Sequence, residues 1–154
     1  MANKFSYTIT LNNNISENEA IDFLTASNVN FIKPDKDSRK KLLELLGVDK
    51  KYFRAFDLVL IPGHTNLEKI IEVKNIDDIT LIELKTTKKK LINLPSGFFF
   101  GATESEFALA TQLGNQYKFC FISLHIESSN YVLLTLEELN KIIKTKRIQY
   151  QINL

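Results

Sequence analysis

The chain has one cysteine, Cys120, and so cannot close an internal disulfide. That fits a reducing compartment, and the run Tyr117-Lys-Phe-Cys-Phe-Ile122 makes Cys120 a buried structural thiol rather than a nucleophile. No apolar stretch approaches the ~18 residues of a membrane helix, and the start Met-Ala-Asn-Lys-Phe-Ser lacks the apolar core of a signal peptide. A cytoplasmic protein with no membrane partner is expected. The two histidines, His64 and His125, have no partners at zinc spacing and read as a turn residue and a strand-end residue. Glycine-rich phosphate loops, a Ser-His-Asp order and a Cys-His pair are all missing. Net charge is only +2, too small to announce a nucleic-acid partner by itself. No repeat, low-complexity tract or linker divides the chain, so residues 1–154 are expected to form a single domain.

Apolar spacing and turn residues give a coarse order of elements. Phe5, Tyr7, Ile9 and Leu11 alternate weakly, as in a short strand. Ser16-Glu-Asn-Glu19 reads as a capping box opening a helix to about Ala26. An extended Val29–Ile32 ends at Pro34, and a helix over Ser38–Leu46 stops at Gly47. Strands are predicted over Phe53–Ile61, Ile70–Val73, Ile79–Lys85, Tyr117–His125 and Tyr131–Leu134. Lys88–Phe100 is mostly loop. Thr103-Glu-Ser-Glu106 caps a helix ending at Gly114, and Thr135-Leu-Glu-Glu138 caps one running to about Lys144. Arg147–Ile152 alternates and reads as an edge strand. Helices flanking a central group of strands predict an α/β or α+β sandwich around a mixed sheet.

The chemistry concentrates in Asp78-Ile-Thr-Leu-Ile-Glu-Leu-Lys-Thr-Thr87. On a strand, Ile79, Leu81, Glu83 and Lys85 share one face, while Ile82 and Leu84 fill the other. So apolar a strand should be buried, and buried charges need a partner or a metal. Asp57 sits in a second apolar run, Phe-Asp-Leu-Val-Leu-Ile. If the two strands are neighbours, Asp57 and Glu83 converge, and two converging carboxylates call for a cation. Oxygen ligands favour Mg²⁺, which takes one or two carboxylates plus substrate phosphate, and the Leu84 carbonyl offers a further oxygen. Lys85 would face the attacking water and could stabilise a phosphorane-like transition state. Lys88, Lys89 and Lys90 follow directly, placed to meet phosphates. The second basic cluster, Lys141, Lys144, Lys146 and Arg147, reads as a solvated face.

Asp57 followed by Glu83-Leu84-Lys85 resembles the PD-(D/E)XK nuclease superfamily: an acid on one strand, then Glu or Asp, any residue, and Lys on the next. Phe98-Phe-Phe-Gly-Ala-Thr-Glu-Ser-Glu-Phe-Ala-Leu-Ala and the following Tyr117–Ile122 are similar to its capped helix and next core strand. The resemblance covers roughly residues 38 to 125. It implies a restriction-endonuclease-like αβα sandwich with a central mixed β-sheet. It also implies a metal-dependent phosphodiesterase. The expected activity is a Mg²⁺-dependent endonuclease, with Mn²⁺ as substitute, acting on DNA in restriction or repair, double-stranded DNA being the expected partner. DNA versus RNA and endo- versus exonuclease mode stay open. Asp57 and Glu83 would bind the metal and Lys85 would assist the water. Glu44, on the upstream helix, matches the position of an additional acid. Cutting both strands implies a homodimer. Phe56 departs from the pattern, standing where the family name places proline.

Other readings of the same residues stand beside this one. Glu72-Val-Lys74 is a second Glu-x-Lys, though it borders a turn. Glu106 has a complete explanation as a capping-box acid. Phe98-Phe99-Phe100 is either a buried lead into the core or a stacking surface for a base. The same fold could also be a catalytically inactive module binding nucleic acid or a protein partner, or an α/β interaction protein without a nucleic-acid role.

Overall fold

The computed structural model describes residues 16–67 and 76–154. The Phe5–Leu11 and Ile70–Val73 strands, and the Glu72-Lys74 pair, lie outside the described residues. A helix over residues 16–27 (α1) turns Ala20, Ile21 and Leu24 inward at helical spacing. The chain then enters β1 (Phe31–Ile32) and α2 (Lys36–Leu45). Asp35 is the true cap of α2, its Oδ1 accepting from Ser38 N at 2.7 Å, so the helix starts ahead of the expected Ser38. Gly47 follows with φ +71°, a conformation open to a residue without Cβ.

The expected strand over Phe53–Ile61 is much shorter. Asp49 caps a 3-10 turn over Lys50–Tyr52, and Ala55 N donates to Tyr52 O at 2.9 Å. These turns consume the segment, so β2 covers only Leu58–Leu60. Asp57 consequently stands at the mouth of β2 rather than inside it. After a 3-10 turn at Ile76–Asp78 comes β3 (Thr80–Thr87), then α3 (Glu104–Leu113), β4 (Tyr117–Ser123), β5 (Asn130–Leu134) and α4 (Leu136–Asn140). The predicted capping boxes at Thr103 with Glu106 and at Thr135 with Glu138 form, while Ser16, the third predicted cap, lies within α1. Helix α4 stops short of Lys144. Residues 147–152, expected as an edge strand, pair with no strand among the described residues.

The sheet is mixed and five-stranded, in the order β1-β2-β3-β4-β5. Its one parallel pair, β3 with β4, needs a crossover, and the segment carrying α3 provides it. Each face is covered. One cluster joins Ala20, Ile21 and Leu24 of α1 to Leu58, Ile82, Leu84, Cys120 and Ile122. The other joins Leu42 and Leu43 of α2, Leu109 and Ala110 of α3 and Leu139 of α4 to Val59, Leu81, Tyr117, Phe119 and Phe121. The protein is thus a mixed α/β structure. Cys120 is fully buried, and burial pushes its thiol pKa up, in keeping with an unreactive core residue. No helix among the described residues is long and apolar enough to cross a membrane.

Candidate active site

Strand alternation puts Leu81, Glu83 and Lys85 on the α3 face, and the apolar residues around them bury both charges. Glu83 is 8% exposed and Lys85 9%. Asp57 reaches the same point from β2. Its backbone N–H donates to Ile82 O at 2.8 Å, and its Oδ2 accepts from Leu84 N at 2.8 Å. The carboxylate therefore extends the β2–β3 ladder one step beyond the strand. A strand residue turns its N–H and C=O to the same side, so the Leu84 carbonyl opens toward Asp57 as well. The side chain of Leu84 packs into the opposite cluster.

The turn that presents Asp57 is braced from two directions. Arg39 of α2 donates from Nη1 to Phe56 O at 2.6 Å and from Nε to Pro34 O at 3.2 Å, with its guanidinium over the Phe56 ring. Tyr117 of β4 donates its hydroxyl to Ala55 O at 2.5 Å. Burial among the acids raises the Tyr117 pKa, so the hydroxyl stays protonated as a donor. Neither brace was singled out from sequence: Arg39 is one cation among several on its helix, and Tyr117 reads as an ordinary core aromatic.

Lys85 is held by two acids. Its Nζ donates to Glu106 Oε1 at 2.5 Å and to Glu83 Oε1 at 3.3 Å. The other oxygen of Glu106 accepts from Thr103 N at 2.9 Å and from Thr103 Oγ1 at 2.6 Å. One carboxylate thus closes the capping box of α3 and anchors the lysine of β3. Burial works to raise the Glu106 pKa, but Lys85 and Thr103 outweigh it and hold the carboxyl below its ordinary range.

Glu83 is in the opposite condition. Its Oε2 is buried and, among the described residues, has no hydrogen-bond partner. Burial, then the negative charge of Asp57, push its pKa up to about 10, against the pull of Lys85. Burial also raises Asp57, whose carboxyl lies within hydrogen-bonding reach of Glu83, although Leu84 N–H, Arg39 and Lys85 counteract it. A further acid approaches from the other layer. Glu17 of α1 is raised by burial and by the Asp57 charge, and its carboxyl also reaches Asp57. From sequence, Ser16-Glu-Asn-Glu19 reads only as a cap, and Glu44 is the position that the resemblance offers for an additional acid. Glu44 is exposed and paired with Lys50 at 3.7 Å, turned to solvent rather than to the carboxylates.

Among the described residues no three His, Cys, Asp or Glu side chains form a ready-made metal cage. Mg²⁺ does not demand one, since two carboxylates and substrate oxygens suffice. Around the pair, Lys88 and Lys89 are exposed, whereas Lys90 is ion-paired with Glu127. His64 and His125 sit in loops, with Nδ1 of each engaged by nearby backbone. The phenylalanine triplet divides its roles. Phe98 and Phe100 pack edge-on against Phe121, at 5.1 and 4.9 Å between centroids, while Phe99 is 96% exposed. Phe121 is the β4 partner of Lys85, so this ring cluster adjoins the site. A groove between α3 and α4, lined by Ala110, Gly114, Thr135 and Asn140 among others, includes none of the clustered acids. No family model, curated protein or solved structure matches the chain.

Proposed function

We propose that this protein is a divalent-metal-dependent nuclease with a restriction-endonuclease-like αβα core, hydrolysing phosphodiester bonds of DNA. The observation that carries this reading is Glu83 Oε2, without a hydrogen-bond partner among the described residues, buried against Asp57 and two residues from a buried lysine. A buried carboxylate oxygen without a donor is costly, and a second carboxyl beside it adds repulsion. A cation between them offsets both. The available donors are all oxygens, from Asp57, Glu83 and the Leu84 carbonyl, with Glu17 behind Asp57, which suits Mg²⁺ or Mn²⁺. When bound, the metal would supply Lewis-acid activation of the attacking water and neutralise phosphate charge.

The chain's own residues do the rest. Lys85 presents a fixed ammonium, anchored by Glu106 so that little reorganisation is needed as charge develops on the phosphate. Lys88 and Lys89 contact backbone phosphates, giving salt-dependent affinity without sequence reading. Phe99, exposed between the packed Phe98 and Phe100, offers a stacking surface for a base. A homodimer would bring a second site to the opposite strand.

Cleavage of plasmid DNA with Mg²⁺ or Mn²⁺ tests the reading. Glu83→Ala and Lys85→Ala should each reduce the rate by about 100-fold or more. A wild-type protein inert across metals and substrates, yet still binding DNA, would replace the enzyme with a binding module. Phe99→Ala should weaken binding of a single-stranded oligonucleotide in EDTA by roughly tenfold, read by fluorescence anisotropy. An unchanged affinity would remove Phe99 from the substrate surface and leave the catalytic reading intact.

A further inference from the structure

Residues 147–154 alternate without a break. Ile148, Tyr150, Ile152 and Leu154 are apolar, and Arg147, Gln149, Gln151 and Asn153 between them are polar. This is the period of a strand with one buried face. Yet the segment joins no sheet among the described residues, and Ile148, Tyr150 and Ile152 are 79%, 81% and 77% exposed. Single exposed apolar residues are ordinary, but large ones at every second position of one segment form a patch that needs a cover.

The sheet has a matching deficit. Among the described residues β5 has only β4 beside it. Its sequence, Asn-Tyr-Val-Leu-Leu, contains neither charge nor proline, the common devices that keep an edge from pairing. Pairing along β4 shows which backbone groups are free. Leu124 N donates to Thr87 O at 2.8 Å, so alternate residues of β4 turn toward β3. Phe119, Phe121 and Ser123 then turn toward β5 and meet Leu134, Val132 and Asn130. The peptide groups of Tyr131 and Leu133 therefore point out of the sheet. Tyr131 N–H is taken by the Asn130 side chain at 2.8 Å, which leaves the Leu133 N–H facing outward.

We propose that residues 147–154 pair as a strand on the β5 edge of a second copy of this chain, and that the exchange is reciprocal. Both deficits occur on one chain, so a two-fold dimer satisfies each of them twice with a single kind of contact. The tail follows Lys146, whose Nζ lies 4.9 Å from the Phe107 ring centroid of α3, and forms no ladder with its own β5. Beyond Arg147 the tail is uncharged, as is β5, so no like charges oppose each other across the edge. Pairing would give the outward peptide groups a ladder and remove the tail's apolar face from water. The inference stands on edge and tail alone, whatever the carboxylate site does.

Sedimentation over a concentration series tests it, using wild type, the double variant Ile148→Lys/Ile152→Lys, and Leu133→Pro. Both isoleucines are exposed in the single chain, so the double variant should keep the monomer's circular dichroism and melting temperature. Leu133→Pro removes an edge N–H that does not serve the β4 ladder. The expected result is a wild-type dimer that both variants lose. Hydrogen exchange at the Leu133 amide should be slow in wild type and fast in the tail variant. A wild type still monomeric at about 100 μM, or a dimer surviving both variants, would overturn the inference. So would a protected Leu133 amide in a monomer, which would mean that the tail pairs with its own edge.

Discussion

In EDTA, the protein should become less stable as pH rises from about 5 to about 9, the reverse of the usual behaviour of a protein rich in paired carboxylates. The cause is Glu83, whose pKa is pushed up from 4.5 to about 10 by burial and by Asp57. A carboxyl with a raised folded-state pKa binds its proton more tightly folded than unfolded. Its contribution is intact below 4.5 and lost progressively as pH climbs toward 10. Each pH unit in that window removes about 1.4 kcal/mol, so roughly 3 kcal/mol is gone by neutrality. Asp57 and Glu17 are also raised and act with the same sign. Glu106 is lowered, so its contribution is present above its ordinary pKa and falls away only in acid, below this window.

Glu83→Gln should flatten the slope and raise metal-free stability at neutral pH. A neutral amide still accepts from Lys85 and can donate to Asp57, as the protonated wild-type acid can, but without the cost of taking up a proton on folding at neutral pH. Mg²⁺ or Mn²⁺ should stabilise wild type, and more strongly at higher pH, because the cation displaces the proton held by the acids. The variant should lose that response. Thermal melts across pH, with and without metal, read all of this. A wild-type melting temperature flat or rising with pH in EDTA would mean that Glu83 is not the strained acid described. The predicted opposition, a more stable but metal-blind variant, is what a site shaped for a cation rather than for folding produces.

Much of this site could be seen in the chain before folding, and the reason is periodicity. Alternation along Ile79–Lys85 fixes that Glu83 and Lys85 share a face, and the apolar neighbours fix that the face is buried. The Glu106 cap was equally visible, because Thr103 and Glu106 stand at capping-box spacing. That the same carboxylate holds Lys85 was not visible, since the contact depends on how the crossover lays α3 against β3. The depth of Asp57 was misjudged for a related reason. The apolar run Phe53–Ile61 looks like one strand, but Asp49 and the turn at Tyr52–Ala55 spend its first half. Glu17 escaped because a helix from the opposite layer must arrive at the end of β2, a tertiary placement that local spacing does not encode. Glu44 matches the family's additional-acid position only in sequence order; helical phase sends it to solvent, the simpler reading of its helix, while Leu42 and Leu43 take the core. The tail's alternation reads as a strand, but among the described residues it joins no sheet.

Lys85→Met should lower stability by about 3–5 kcal/mol, because it breaks a buried charge cluster by removing one partner. Lys85 Nζ is bonded to Glu106 Oε1 at 2.5 Å and to Glu83 Oε1 at 3.3 Å, and both acids are buried. For a chain of this size the melting temperature should fall by about 10 °C. Loss of cleavage from this variant alone would say little, since a loosened fold also loses activity. Glu106→Gln in the same background separates the two. The amide keeps an acceptor for Thr103 while removing the charge that Lys85 balanced, so the double variant should recover most of the stability. Cleavage should stay lost, because no ammonium faces the phosphate. Lys85→Met that melts like wild type would show that Glu106 is balanced elsewhere. Cleavage returning with stability would assign Lys85 to the fold alone. Recovery of stability without recovery of cleavage is the pattern expected if the lysine is kept in the core, where a methionine would cost less in a neutral setting, for its charge at the reacting phosphate.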